Sequence, residues 1–198
     1  MKKMLLILVL AICSYANAQK GSILVMGNVT FNSQKNSNSN SNAENKQNYF
    51  GFQPKVGYQF HENWTAGIEA DITSNKQDFN DGTQFKDRIY AFGGFLRYSK
   101  TLGGIFSAYA DLGVGYKNKK ETNKNAIGQY YNDSDGFYVG LTPAIFIDIK
   151  KGFGLNFSIG GINYSALNND YASGATGKTK SLYSNFGQSF SVGISKNF

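Results

Sequence analysis

Phe50, Phe52, Pro54, Val56, Tyr58 and Phe60 stand at every second position of one segment, and Gly51, Gln53, Lys55, Gly57 and Gln59 fill the positions between them. A period of two means an extended strand with one apolar and one polar face. The same period returns along the chain. Trp64, Ala66, Ile68, Ala70 and Ile72 alternate with Thr65, Gly67, Glu69, Asp71 and Thr73. Further apolar faces run through Tyr90, Phe92, Leu96 and Tyr98, through Phe106, Ala108, Ala110, Leu112, Val114 and Tyr116, and through Phe137, Val139, Leu141, Pro143, Ile145 and Ile147. Phe153, Leu155, Phe157 and Ile159 form another, and Leu182, Phe186, Phe190, Val192, Ile194 and Phe198 the last. The first strand is less decided, with Ile23, Val25, Val29 and Phe31 taken as its apolar face. Eight strands are predicted, over 20–31, 49–60, 64–75, 88–100, 105–117, 136–148, 153–165 and 181–198. Helical periodicity is absent at useful length. Aromatics at 15%, 23 glycines and only two prolines suit an all-β chain. Pro54 and Pro143 sit inside strands, where a missing ladder donor predicts local bulges.

The connections alternate in length. His61-Glu62-Asn63, Thr101 to Gly104 and Lys150-Lys151-Gly152 are tight turns, whereas 32–48, 76–87, 118–135 and 166–180 read as long polar loops. Asn and Ser dominate the first loop, which is expected to be mobile. Short turns at one end and long loops at the other describe an eight-stranded antiparallel up-and-down transmembrane β-barrel.

Alternation alone leaves the direction open, because a soluble lipocalin-like barrel alternates with its apolar face inward. The polar face argues for the membrane. A water-facing exterior is rich in Lys and Glu, but here that face carries Gly51, Gly57, Gly67, Gly113, Gly115, Asn156, Ser158, Gly193 and similar small residues. They suit the crowded interior of an eight-stranded barrel. The opposite face suits lipid, since a closed barrel satisfies its own backbone hydrogen bonds. Phe60, Trp64, Tyr98, Phe106, Phe153 and Phe198 near one end, and Phe50, Tyr116 and Phe137 near the other, form two aromatic girdles.

The first 18 residues read as a cleavable signal. Lys2 and Lys3 precede an apolar run from Leu5 to Ile12 that is too short to span as a helix, and Ala16-Asn17-Ala18 is a small-x-small cleavage site. The barrel domain then covers 19–198. Cys13, the one cysteine, leaves with the signal. Ile12 before it argues against lipidation. Removing two of the 20 basic residues leaves 18 against 13 acids, a mild excess of five. No segment interleaves basic and aromatic residues as a nucleic-acid binder does.

The pattern resembles the OmpA/OmpX-type small outer-membrane barrels, in particular the outer membrane protein β-barrel domain group common in Bacteroidetes. The resemblance rests on Val56-Gly57-Tyr58-Gln59-Phe60 leading into Asn63-Trp64-Thr65-Ala66-Gly67-Ile68-Glu69, and on Ala110-Asp111-Leu112-Gly113-Val114-Gly115-Tyr116. It implies an outer-membrane location, contact with membrane lipid and lipopolysaccharide, and insertion by the barrel-assembly machinery. That machinery would read a terminal signal carried by Phe190, Val192, Ile194 and Phe198. Lys196 departs from it, because an apolar residue is usual there.

Five charges fall on the polar face: Lys55, Glu69, Asp71, Arg97 and Asp111. A turn centred on Glu62 sets Lys55 opposite Glu69, and the next short turn brings Arg97 toward Asp111. Buried charges need partners, so an internal cluster closing the lumen is expected, with a narrow charged passage as the alternative. Catalytic chemistry finds no set of residues. His61 is the only histidine and lies in a short turn, so no Ser-His-acid arrangement forms. Asp133-Ser134-Asp135-Gly136 lacks the further ligands of a calcium loop. No cofactor or metal is expected. Lys117, Lys119, Lys120 and Lys124 make the third loop basic and are candidate contacts for lipopolysaccharide phosphates. The expectation is a non-enzymatic outer-membrane barrel with a largely closed polar lumen. It would display four outer loops for surface interaction or envelope integrity, toward a ligand the sequence does not identify. A small-solute channel and a soluble lipocalin-like binder are the alternatives.

Overall fold

The computed structural model describes residues 21–38, 43–187 and 191–198. The signal segment 1–18, Cys13, Gln19 and Phe190 lie outside the described residues.

Ten strands follow in order: β1 (Ile23–Asn38), β2 (Ala43–His61), β3 (Trp64–Phe79), β4 (Gln84–Gly103), β5 (Phe106–Lys124), β6 (Gln129–Lys150), β7 (Phe153–Ser158), β8 (Ile162–Asp170), β9 (Thr176–Ser184) and β10 (Ser191–Asn197). All pairings are antiparallel. β7 and β8 follow one another along β6 as one stave interrupted at 159–161, and β9 with β10 forms the eighth stave, interrupted at 185–187 among the described residues. The result is a closed eight-stranded antiparallel barrel, with no helix among the described residues. Leu24 to Gly27 pair with Asn197 to Ile194 to seal it, and Ile23 and Phe198 exchange backbone hydrogen bonds of 3.1 and 3.0 Å. Beyond Gly27, β1 is paired with β2 alone among the described residues, and β9 with β8 alone. Among the described residues the seam thus lies in the short-turn half.

The tight turns follow from local chemistry. Lys151 and Gly152 both have positive φ, 49° and 76°, as a two-residue type I′ hairpin turn requires. The other end corrects the expected long loops. Strands run through most of them, leaving connections at 80–83, 125–128 and 171–175 among the described residues. The described parts of the first loop, expected to be mobile, are a paired ladder from Asn32↔Tyr49 to Asn38↔Ala43. Backbone ladders need no apolar side chains once both faces meet water. Polar residues there also bond across strands: Ser33 Oγ to Asn48 Oδ1 at 2.9 Å, and Gln47 Nε2 to Asn75 Oδ1 at 3.1 Å.

The eighth strand, expected to be continuous over 181–198, is broken. Ser184 pairs with Ile162 and Ser191 with Ser158, so the ladders on either side of the break differ in register. Asn185 ties the break: its Oδ1 accepts the Gly161 N–H at 2.8 Å, and its own N–H donates to the Gly161 carbonyl at 3.1 Å. Pro143 lies on β6 beside this break, between the β6–β8 and β6–β7 ladders. No bulge occurs at Pro54. The β2–β3 ladder pauses there and resumes in the same register, Phe52↔Ile72 and then Lys55↔Glu69. A missing N–H removes one ladder bond but adds no residue.

The polarity is inverted relative to a soluble protein. Ile68 is 55% exposed and Val114 55%, whereas Asp111 is 3% exposed and Arg97 6%. Phe52, Tyr58, Phe92, Leu112, Phe137, Leu141 and Ile194 also point outward. The outward apolar run on β5 spans Phe106 to Tyr116, within the roughly 9–11 residues a tilted strand needs to cross a bilayer. β6 has 22 residues, about 70 Å of chain, so it projects well past that band.

Candidate functional site

Among the described residues, the buried charges Arg97 and Asp111 both lie in the lumen. Inward positions of adjacent strands share rungs because the ladders are continuous. One rung runs Thr65, Arg97, Asp111, Thr142, and another Lys55, Glu69, Gly93, Gly115, Tyr138. Arg97 donates to Asp111 through Nε at 2.7 Å and Nη2 at 2.9 Å. Lys55 Nζ lies 3.0 Å from Asp111 Oδ2 and 2.8 Å from Glu69 Oε2. Tyr138 donates its hydroxyl to Glu69 Oε1 at 2.8 Å. Two cations and two carboxylates therefore neutralise one another in a hydrogen-bonded chain. Such satisfaction is what a buried charge requires.

Two rings and one thioether pack against this cluster and with it form a septum. The Arg97 guanidinium lies 3.7 Å from the Tyr109 ring centre, and Lys55 Nζ lies 5.1 Å from that of Phe95. Arg97 Nη2 also approaches Met26 Sδ at 3.2 Å. Glycines make the room. Phe95 occupies a rung with Gly57, Gly67, Gly113 and Gly140. A Cβ at Gly57 or Gly67 would strike the Phe95 ring, and one at Gly113 the Glu69 carboxylate. Gly93 and Gly115 floor the Tyr138 ring in the same way.

Two cavities border the septum. A cavity of about 420 Å³ on the side of the projecting hairpins is lined by Lys55, Glu69, Asp111 and Tyr138 among others. A cavity of about 190 Å³ on the short-turn side is lined by Arg97, Tyr109, Gln59 and Ser195.

Of the five charges expected together, Lys55, Glu69, Arg97 and Asp111 meet. Asp71 does not join them: it accepts from Gln53 Nε2 at 3.1 Å and from Thr73 Oγ1 at 2.7 Å, and it lines the larger cavity. The four lysines expected in a basic loop stand instead on β5 and divide between its faces. Lys117 and Lys119 continue the inward series of Tyr109 and Asp111; Lys117 lines the larger cavity, and Lys119 pairs with Glu121. Lys120 and Lys124 continue the outward series of Leu112, Val114 and Tyr116, and Lys120 lies 3.3 Å from Asp133. Alternation on a strand forbids all four from meeting one surface. Val192 and Ile194 of the terminal pattern face outward on β10, and Phe198 follows them.

His61 ends β2 opposite Trp64, beside the first tight turn. Asp133 and Asp135 lie on β6, where Asn118 Nδ2 donates to Asp133 at 2.7 Å. Among the described residues no group of three His, Cys, Asp or Glu is arranged to hold a metal ion. The inward residues Met26, Phe95, Tyr109 and Tyr138 escape a reading built on a small, polar lumen face. Their signal was phase: Phe95 and Tyr109 stand out of step with the apolar runs around them.

No family model matches the chain, and no curated protein matches it. Solved structures do resemble it. One is Ail, the attachment invasion locus protein of Yersinia pestis, in complex with the heparin analogue sucrose octasulfate; it is 12% identical, covers 91% of this chain and 100% of that one, and gives a TM-score of 0.52. Neisserial surface protein A is 14% identical over 92% of this chain and 100% of its own, at 0.47. The outer membrane protein OprG from Pseudomonas aeruginosa is 13% identical over 92% and 98%, at 0.49. At these identities the likeness to Ail is one of fold.

Proposed function

We propose that this chain is a non-enzymatic barrel of the bacterial outer membrane, with a lumen closed by an ion cluster and hairpins that act at the cell surface. The observation that carries the reading is the belt of exposed rings and branched side chains around the wall, including Phe52, Ile68, Phe92, Leu141 and Ile194. A continuous apolar belt of this kind would aggregate in water, and a lipocalin-like soluble barrel would carry it inside. In hydrocarbon it is the required surface. The short turns then face the periplasm, and the projecting hairpins of β1–β2, β3–β4, β5–β6 and β8–β9 face outward.

The septum supports closure. Lys55, Glu69, Arg97 and Asp111 hold one another across the lumen between its two cavities, with Phe95 and Tyr109 filling the space around them. The hairpins then serve surface interaction or envelope integrity rather than transport. Lipopolysaccharide is the proposed neighbour, met by outward Lys120 and Lys124, and the barrel-assembly machinery would read the aromatic terminus.

Fractionation with heat-modifiable gel mobility tests the location. Recovery from the outer membrane, with a compact unboiled band, is expected; recovery as a soluble periplasmic protein refutes it. Planar-bilayer recording tests the closed lumen, for which no steady conductance is expected. The second reading, a narrow solute channel, draws on the polar cavities on both sides of the septum. Steady conductance in the wild type would establish it.

A further inference from the structure

The larger cavity carries two charges that the septum leaves over. Lys55 and Arg97 balance Glu69 and Asp111, so that cluster is neutral. Asp71 and Lys117 remain, and both line the cavity. They stand at one depth: Asp71 is opposite Ala91 on β4, and Ala91 is opposite Lys117 on β5. Two strand spacings put their Cα atoms about 10 Å apart. Neither forms an ion pair among the described residues, with each other or with any third group. Asp71 keeps its charge fixed by Gln53 and Thr73, which leaves lone pairs free, and the Lys117 ammonium has three donors to offer.

The wall between them is Ala91, too short to fill the gap. Across the cavity lie Asn163, Ser165, Ser181 and Tyr183, all able to donate and accept. A volume of about 420 Å³ takes a small solute with several waters. An anion and a cation side by side, neither in an ion pair among the described residues, are complementary to one molecule bearing both charges. A lone anion would meet Asp71, and a lone cation Lys117, each at a penalty.

We infer that the outer vestibule of the lumen binds a small zwitterion of the α-amino-acid type. The solute's ammonium faces Asp71, its carboxylate faces Lys117, and a polar side chain reaches the hydroxyls of β8 and β9. Binding needs the vestibule alone, so it stands whether or not the septum conducts.

Saturation-transfer NMR on the full chain in detergent tests this, with serine as the zwitterion and acetate and ethylamine as single-charge controls. Serine is expected to bind near the millimolar range, with each control at least tenfold weaker. Lys117→Met and Asp71→Asn should each weaken serine at least tenfold. The exchanged variant, Asp71→Lys with Lys117→Asp, should recover binding, because the solute can turn round. Heat-modifiable mobility verifies that each variant is folded. Three results overturn the inference: acetate binding as well as serine, which would make this an anion site; no transfer to serine from the wild type; or unchanged serine binding in both folded single variants.

Discussion

Asp111 is the hub of the septum, and its removal gives the sharpest test of how dry that layer is. The carboxylate accepts two hydrogen bonds from Arg97 and one from Lys55, and its side chain is 4% exposed. Hydrogen bonds to charged groups contribute about 1.5–3 kcal/mol each, so three amount to roughly 5–9 kcal/mol before any relief. Relief comes from no longer burying the carboxylate, several kcal/mol per ion. Lys55 also keeps Glu69 at 2.8 Å and borders the vestibule, so water can reach it. Arg97 has no second carboxylate among its contacts and retains the Tyr109 and Phe95 rings and Met26. The net expected cost of Asp111→Ala is therefore about 3–5 kcal/mol, the range for breaking one side of a buried pair. Urea unfolding in lipid vesicles, read by gel mobility, measures it. Replacing both partners, Asp111→Leu with Arg97→Leu, should recover much of the loss, because apolar substitutes for a buried pair are often neutral or stabilising. A loss below about 1 kcal/mol in Asp111→Ala would place the cluster in the range of exposed pairs and refute a desolvated septum.

The remaining expectations follow from single contacts. Gly113→Ala puts a methyl where the Glu69 carboxylate lies, displacing it from Lys55 and Tyr138, and should cost about 1–3 kcal/mol in the same assay; Gly128→Ala, with nothing within 4 Å, should stay within about 0.5 kcal/mol. Spin labels at Ile68 and Leu141 should be accessible to oxygen and shielded from a water-soluble nickel chelate, while a label at Thr142, on the vestibule wall, should show the reverse; the opposite ranking would mean water, not lipid, bathes the belt. Lys120→Glu with Lys124→Glu should reduce lipopolysaccharide association, and Lys117→Glu with Lys119→Glu should leave it unchanged, because only the first pair faces outward; equal effects from both would sink the assignment of faces.

What the sequence made legible and what it hid divide along a physical line. Alternation in 50–60 and 64–72 gives the strands and their two faces, because the period of two is a property of one chain segment. Counting outward from a turn at Glu62 gives the Lys55–Glu69 rung, and the β2–β3 ladder contains that rung, since a tight hairpin fixes its own register. The projecting ladders were hidden because Asn, Ser and Gln at 32–48 carry no apolar period, although the described backbones there pair as well as any. The break at 185–187 was hidden because Leu182, Phe186, Val192 and Ile194 keep one phase across it.

The lumen was the least legible part, for a reason that lies in its size. An eight-stranded barrel has just enough interior for side chains, so each inward residue must fit what the neighbouring strands contribute at its depth. Phe95 fits because Gly57, Gly67, Gly113 and Gly140 share its rung, and Tyr138 because Gly93 and Gly115 share its own. Within one strand Phe95 reads as a phase error and each glycine as a weak strand former. Across five strands they are one complementary layer. Charge obeys the same rule: Arg97 beside Asp111 and Lys55 beside Glu69 cancel across strands, which leaves Asp71 and Lys117 lining the vestibule without an ion pair among the described residues. A substitution in this lumen therefore acts through the rung it belongs to, so Gly113→Ala is expected to disturb Glu69 on another strand more than any neighbour on β5.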